Sequence, residues 1–409
     1  MKFILLSLFA RIGRMFPRRT PIANLLIAVA ALAMFPLPSS AATGAQAESW
    51  LGLPVTFKDR GYALHPWPAI ELQDLKILTA EAITVNHAWV SPDWAEWITT
   101  AKTSRLRLQA DQIVARPAAL ARLGLIDGKS TRKLTSVRFA KLKLLIGTGS
   151  LDLPAGEMEF APDGTLRRIK MQLGEKVTID AVPKDGKLNV TLNTGQWKWE
   201  ALPVFTFDNL VAEGEISDDQ ILFDRIGANA DGGVVSGVIH ITVPDKFALD
   251  GEIKLNGVDA RDVLGRLYPR HTVLGNLYAV VKLASSADSF DGLGKELTTS
   301  GSYEIREGSI DRMGLMEGLH KVGPGPAGGG LTRFVKLTGT FSGSTQHPAS
   351  VSIQHLDGGA MQGSGGFTVT SDGNLKGSMA ASMRMPTGET TSRSMALTGS
   401  VDAPTLTVR

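Results

Sequence analysis

Residues 247–255 read FALDGEIKL, and this stretch decides the fold class. Apolar or small residues alternate with polar ones, so that one face carries Phe247, Leu249, Gly251, Ile253 and Leu255. Successive side chains of a β-strand point to opposite faces, so a period of two predicts a strand. Residues 187–192 (KLNVTL) repeat the pattern. Strands with one apolar and one solvated face are typical of antiparallel sheets.

Turn dipeptides recur between the alternating stretches. Asp-Gly occurs at 127–128, 163–164, 185–186, 231–232, 250–251, 291–292, 357–358 and 372–373, and Asn-Gly occurs at 256–257. Both dipeptides tolerate the positive φ angles of type I′ hairpin turns. We therefore predict a meander of about 22 strands, which at ~4.8 Å per strand would extend to roughly 100 Å. An open sheet of that size normally curls, so the predicted fold is a long, curled antiparallel β-sheet that forms a groove.

Helical signals are few and short. Ser91-Pro92 predicts a helix start, with Trp94, Trp97 and Ile98 on one face. Further helices are predicted within residues 117–123, 259–267 and 313–322. The last one runs into GPGPAGGG at 323–330, which is either a gate or a flexible connection, and we favour the connection.

The N-terminal segment has the composition of a membrane anchor. Residues 20–47 carry no charge, residues 21–38 are predominantly apolar, and five basic residues precede them: Lys2, Arg11, Arg14, Arg18 and Arg19. An apolar stretch of this length approaches the roughly 20 residues that span a bilayer, and the basic side stays in the cytoplasm. A cleaved secretory signal is the alternative. Both interpretations place the body in the periplasm or an equivalent compartment.

The overall charge excludes one class of partner. The formal charge is +3, but without the five N-terminal basic residues the rest of the chain has a charge of −2. No basic surface is therefore expected for nucleic acid. The chain has no cysteine, which excludes disulfides and thiolate metal sites.

Catalytic and cofactor motifs are missing from the sequence. The seven histidines have no metal-ligand spacing, and no Gly-x-Ser-x-Gly elbow is present. Residues 323–328 match G-x-G-x-x-G, but two prolines and the lack of a strand–turn–helix context argue against a dinucleotide site. We expect no catalytic residue, no metal site and no cofactor. A glycan-active enzyme, the remaining enzymatic alternative, would need two converging carboxylates.

Two groups of motifs have a recognisable pattern. The first group is GLPVT at 52–56 followed by PWPAIELQDLKI at 66–77, and the second comprises residues 301–310, 334–341, 363–367 and 399–404. They resemble the AsmA-like family of bacterial envelope proteins, a family of AsmA/TamB type related to the repeating β-groove lipid-transfer proteins. The first group is similar to the family's first strands after the anchor, and the second to its C-terminal domain. The chain is short for this family.

The resemblance implies a domain organisation and a function. Residues 1–47 would be the basic segment and anchor or signal, 48–290 the β-groove region, and 291–409 the AsmA-like C-terminal domain. The protein would be a single-pass protein of the bacterial inner membrane, with its N-terminus in the cytoplasm and its body in the periplasm. The expected function is phospholipid binding in an apolar groove, in support of lipid transport to the outer membrane or of its homeostasis and biogenesis. The groove candidates are Leu249, Ile253, Leu255, Val351 and Ile353. The alternative is a non-transferring scaffold or assembly factor that binds other envelope proteins at an exposed strand edge.

Overall fold

The fold is mainly β, with one large mixed sheet that is not closed and a few short helices. The computed structural model describes residues 55–65, 67–79, 81–93, 105–124, 133–161, 164–198, 206–267, 273–344 and 347–409. No helix in these ranges is long and apolar enough to cross a bilayer. The membrane helix predicted within residues 20–47 lies outside the described residues.

The strands follow the chain with short connections. The first nine are β1 (Val55–Thr56), β2 (Asp59–His65), β3 (Trp67–Ile77), β4 (Ile83–Pro92), β5 (Arg105–Ala115), β6 (Lys133–Ile146), β7 (Gly149–Leu153), β8 (Gly156–Phe160) and β9 (Leu166–Leu173). The next nine are β10 (Val177–Lys184), β11 (Lys187–Thr194), β12 (Trp197–Lys198), β13 (Thr206–Ile216), β14 (Gln220–Ala230), β15 (Gly233–Thr242), β16 (Phe247–Asp259), β17 (Val273–Ala287) and β18 (Thr298–Ile310). The last seven are β19 (Gly325–Pro326), β20 (Thr332–Ser344), β21 (Ala349–Asp357), β22 (Met361–Val369), β23 (Leu375–Arg384), β24 (Thr390–Ser400) and β25 (Ala403–Val408).

The chain divides into two compact units. The first unit is formed from Met1–Ala115, Arg122–Leu142 and Gly156–Arg167, and the second from Arg116–Ala121, Lys143–Ala155 and Arg168–Arg409. The domain boundary predicted at residue 290 stays a prediction.

The first unit is a set of antiparallel strand pairs with a tightly packed face. β3 pairs with β1, β2 and β4, and β4 pairs with β5. Its most deeply buried side chains include Leu72, Leu75, Ile83 and Leu106. Ser91 and Pro92 lie at the end of β4, so the helix start predicted there is wrong. The strand extends through both residues and pairs them with Arg107 and Leu106 of β5. Trp94, Trp97 and Ile98 lie outside the described residues.

The second unit contains the predicted meander. All pairings among the described strands from β9 to β25 are antiparallel. The two-residue strand β12 pairs with β13, and the two-residue strand β19 pairs with β25. The sheet as a whole is mixed, whereas the sequence predicted an antiparallel one. Hairpin turns impose antiparallel pairing only on the strands that they connect.

The turn dipeptides form more than one kind of structure. At Asp185-Gly186 and Asp231-Gly232 both residues have positive φ, and each pair connects two neighbouring strands, as predicted for type I′ turns. Two predicted turns are wrong because residues 250–251 and 256–257 lie inside β16. A third, at 291–292, lies in a single 3₁₀ turn. The Asn256-Gly257 pair is a β-bulge, with Gly257 at φ 68°.

Three short α-helices occur where they were predicted. They are α1 (Pro117–Ala121), α2 (Ala260–Leu267) and α3 (Leu315–His320). The backbone N–H of Arg261 donates to Asp259 Oδ1 at 2.8 Å, which caps the start of α2. At the other end of α2, Arg266 Nη1 donates to the nearly buried Asp231 at 2.7 Å. This carboxylate raises the pKa of Arg266, so α2 is tied to the β14–β15 turn by a charged pair.

A pair of glycine substitutions tests the close contacts in the second unit. A Cβ on Gly339 would overlap the carbonyl oxygen of Ser352 and lie 2.6 Å from the Tyr303 hydroxyl. We expect Gly339→Ala to lower the free energy of unfolding by about 1–3 kcal/mol in urea titrations, because the backbone must shift. A Cβ on Gly227 meets nothing within 4 Å, so Gly227→Ala should leave stability unchanged or raise it slightly. Equal effects of both changes would contradict the packing described here.

Candidate functional site

One cross-strand row of residues runs through the second unit from β9 to β25. Consecutive register pairs connect Met171, Ile179, Leu192, Ala212, Ile226, Gly237, Ile253, Val281, Gly301, Phe341, Val351, Phe367, Gly377, Leu397 and Leu406. All of them are apolar or glycine. We call these residues the apolar row. At ~4.8 Å between strands it follows the sheet for roughly 65 Å.

The neighbouring row on the opposite face has the opposite character. It contains Gln172, Thr178, Asn193, Val211, Gly227, Ser236, Lys254, Val280, Ser302, Thr340, Ser352, Gly366, Ser378, Ala396 and Thr407. Ten of these residues are polar. Because the two rows are one residue apart along every strand, the sheet separates an apolar face from a solvated face over its whole extent in this unit.

The middle of the apolar row is partly open, whereas the row on one side of it is closed. Its half-buried members are Ile179, Leu192, Ile226, Ile253, Val281, Phe341, Val351 and Phe367. On one side Leu255 and Ile353 are only 6% and 4% exposed. On the other side the adjacent row is mixed, with Gly251 and Leu283 buried and Phe223 and Ile239 half-buried. The accessible apolar surface is therefore a band that runs across the strands.

The five groove candidates fall on this face at different depths. Ile253 and Val351 belong to the apolar row itself. Leu255 and Ile353 lie together in the next row, which is buried. Leu249 is half-buried in a row on the other side, where it pairs with Ile241 and Ser285.

Six half-buried side chains of the row were not among those candidates: Ile179, Leu192, Ile226, Val281, Phe341 and Phe367. A sequence signal exists for the two aromatic residues, because GTF at 339–341 and GGF at 365–367 both place Phe two residues after Gly. No comparable signal marks Ile226 or Val281, since their place depends on the register of distant strands.

Large side chains lie over the glycines of the row. A Cβ on Gly237 would lie 2.6 Å from Ile253 Cδ1, one on Gly301 would lie 3.2 Å from Phe341 Cε1, and one on Gly377 would lie 2.5 Å from Phe367 Cβ. Each glycine thus leaves space that its neighbour on the next strand fills. The resulting surface is continuous and shallow, which fits an extended hydrocarbon chain better than a compact ligand.

Tyr303 brings a hydroxyl to the edge of the band. It lies in the buried row beside Ile353, opposite Gly339, and its Oη donates to the carbonyl oxygen of Ser352 at 3.2 Å. Burial raises the pKa of Tyr303 to about 12. The phenol therefore stays neutral and hydrogen-bonded, so it adds no charge to the apolar face at neutral pH.

Concavities with charged or polar side chains in their lining lie on the opposite face. One, of about 540 Å³, is lined by residues that include Glu213, Arg225, Glu252 and Lys254, which form two ion pairs with N–O distances of 2.7 and 3.3 Å. Another, of about 470 Å³, is lined by Ser and Gln side chains with His355 and Arg393. In the described part of the chain no three His, Asp or Glu side chains are grouped closely enough to hold a metal ion.

Comparison with known proteins adds no relative. No protein-family model, no curated protein and no solved structure matches this chain. The resemblance to AsmA-like proteins therefore stays a prediction that rests on the motifs in the sequence.

The raised pKa of Tyr303 predicts a loss of stability in alkali. Its folded pKa of about 12 lies above the ordinary value of 10.0, so the unfolded chain loses the proton first as the pH rises. The contribution of the protonated Tyr303 to the free energy of unfolding is complete below pH 10 and is lost as the pH rises to 12. A difference of two pKa units corresponds to about 2–3 kcal/mol. We expect the free energy of unfolding to fall more steeply over this range in the wild type than in Tyr303→Phe. Urea unfolding at several pH values measures it, with the exposed Tyr62→Phe as control; parallel curves for all three proteins would refute the assignment.

Proposed function

We propose that this protein is an AsmA-like, inner-membrane-anchored periplasmic protein that holds phospholipid acyl chains along the apolar row. In this role it supports lipid transport to the outer membrane, or the homeostasis and biogenesis of that membrane. The observation that carries the proposal is the uninterrupted apolar row, half-buried over most of its length and backed by a polar face. A contiguous apolar surface that stays accessible to solvent often marks a binding groove.

The energetics favour an acyl chain as the ligand. Each CH₂ group removed from water contributes about 0.8 kcal/mol, and the head group can stay in solvent beside the band. The ~30 Å hydrocarbon core of a bilayer contains two chains end to end, so one chain needs roughly 15 Å. The half-buried part of the row, from Ile179 to Phe367, extends over eleven strands, whose ten spacings of ~4.8 Å amount to about 48 Å. It therefore has room for about three chains in succession.

A scaffold that binds partners by β-augmentation has less support. It needs an exposed, unprotected strand edge. The last strand, β25, has six residues, contains Pro404, and pairs at its end with Gly325 and Pro326. A short, proline-containing and partly covered edge is of the kind that resists strand addition.

Two adjacent valines allow a matched test of lipid binding. Val281 belongs to the apolar row, whereas Val280 points to the polar face, where it lies opposite Lys254. Val281→Glu would place a charge in the path of the acyl chain, whereas Val280→Glu would add a carboxylate beside a cation. We expect the full-length protein, purified from bacterial membranes in mild detergent, to retain several-fold less phospholipid as Val281→Glu than as Val280→Glu.

Native mass spectrometry and lipid extraction supply the measurement. Lipid held by the N-terminal segment would be common to both variants, so the difference between them reports on the row. Stoichiometric phospholipid in the wild type and in Val280→Glu, with loss in Val281→Glu, is the expected result. Equal amounts in both variants, with both folded, would overturn the proposal and favour the scaffold.

A further inference from the structure

The apolar row does not end where its open part ends. Beyond Phe367 it continues through Gly377 to Leu397 and Leu406, which are 1% and 3% exposed. Met395, beside Leu397 on the same face of β24, is fully buried. The closed end of the row lies on the strands that α3 contacts, β23 to β25.

Residues 313–331, which we call the plug segment, cover this end. Leu315 and Leu319 of α3 are buried, and Gly318 lies so close to Met395 that an added Cβ would overlap its Sδ. After α3 the segment follows the edge of the sheet, where β19 pairs with β25 and the Ala327 N–H donates to the Leu406 carbonyl at 2.7 Å. The segment predicted as a flexible connection is thus docked on the last strand.

The core cluster that contains Leu315 and Leu319 also contains methionines, which repack easily. Met361 lies opposite Met383, and Met379 lies opposite Met395, on three neighbouring strands. Methionine is unbranched and fills irregular spaces in more than one way. A helix seated on methionines can leave with less rearrangement than one interlocked with β-branched residues.

The two ends of the plug segment are joined to each other by Thr332, which is fully buried. Its hydroxyl accepts from the Leu315 N–H at 3.1 Å and donates to the Met313 carbonyl oxygen, and Gly328, Gly329 and Gly330 precede it. Val322 is 96% exposed, so the chain directly after α3 has little packing of its own. The attachments at the middle of the segment are the short β19–β25 pairing and the two leucines.

On the basis of the proposed function, we infer that the plug segment covers a second, closed part of the lipid site and lifts to let an acyl chain reach β24 and β25. The ligand is the same phospholipid chain, advanced from Phe367 to Leu397. With the segment seated, the row stores lipid; with it lifted, lipid can pass to the C-terminal edge of the sheet.

A disulfide that closes the plug segment tests this inference. The chain contains no cysteine, so engineered pairs form without competition. Pro326 and Thr407 are direct partners across β19 and β25. Antiparallel partners have Cα atoms about 4.5–5.5 Å apart, within the range of a disulfide. Pro326→Cys/Thr407→Cys would lock the segment, and Thr368→Cys/Lys376→Cys, partners in β22 and β23 away from it, is the matched control.

The full-length proteins are assayed for transfer of fluorescent phosphatidylethanolamine between vesicles of phosphatidylethanolamine and phosphatidylglycerol. We expect the oxidised lock to keep its bound phospholipid but to transfer it at least tenfold more slowly, with recovery on reduction and no effect in the control pair. The reduced form is the same chain, so a folding defect would persist there. A photoreactive group at the acyl terminus should cross-link near Leu397 in the reduced protein only.

Two outcomes overturn the inference in distinguishable ways. Unchanged transfer by the oxidised, lipid-loaded lock would show that lipid does not pass beneath α3, and would leave the proposed function standing. Absence of bound phospholipid from all the proteins, including the wild type, would overturn both the proposed function and the inferred role of the plug segment.

Discussion

The apolar row depends on β-bulges that hold one register across the whole unit. A shift of one residue along a strand moves every side chain to the other face. On β14 the inward residues change from odd to even numbers between Phe223 and Ile226, because Asp224 and Arg225 both face the solvent. On β21 the inward residues change from odd to even numbers between Ile353 and Leu356, because Gln354 and His355 both face the solvent. Without these bulges, one half of β14 and one half of β21 would place polar residues on the apolar face.

Bulges also explain how far the sequence could predict the fold. Alternation and turn dipeptides predicted a β-sheet, and the hairpins at Asp185-Gly186 and Asp231-Gly232 were predicted correctly. Asn256-Gly257 was assigned to a turn because a positive φ suits a bulge as well as a type I′ turn, and the dipeptide cannot tell them apart. Leu255 before it and Val258 after it are both buried, so the three-residue spacing of apolar side chains was the distinguishing signal.

The candidate site was predictable only in part. A period of two placed Ile253 and Leu255 on one face of β16, which the structure bears out. That Ile253 and Val351 share one row could not be foreseen, because β17, β18 and β20 lie between their strands and each contributes its own register. Burial depth could not be predicted from the sequence either. Ile353 and Val351 differ in exposure because of the side chains that pack against them, not because of their own sequence.

The closed end of the row explains how a stable fold can hold a removable helix. Burying a Leu side chain contributes about 1.5–3 kcal/mol, so Leu315 and Leu319 together contribute about 3–6 kcal/mol to the seating of α3, in addition to the hydrogen bond of the Leu315 N–H to Thr332. An acyl chain that takes their place recovers about 0.8 kcal/mol per CH₂ group, and roughly four to eight groups are enough. The exchange is nearly balanced when the surface beneath accepts either occupant, which the methionine pairs of β22, β23 and β24 allow. A core of branched side chains would favour one occupant by shape, and the row would then end at Phe367.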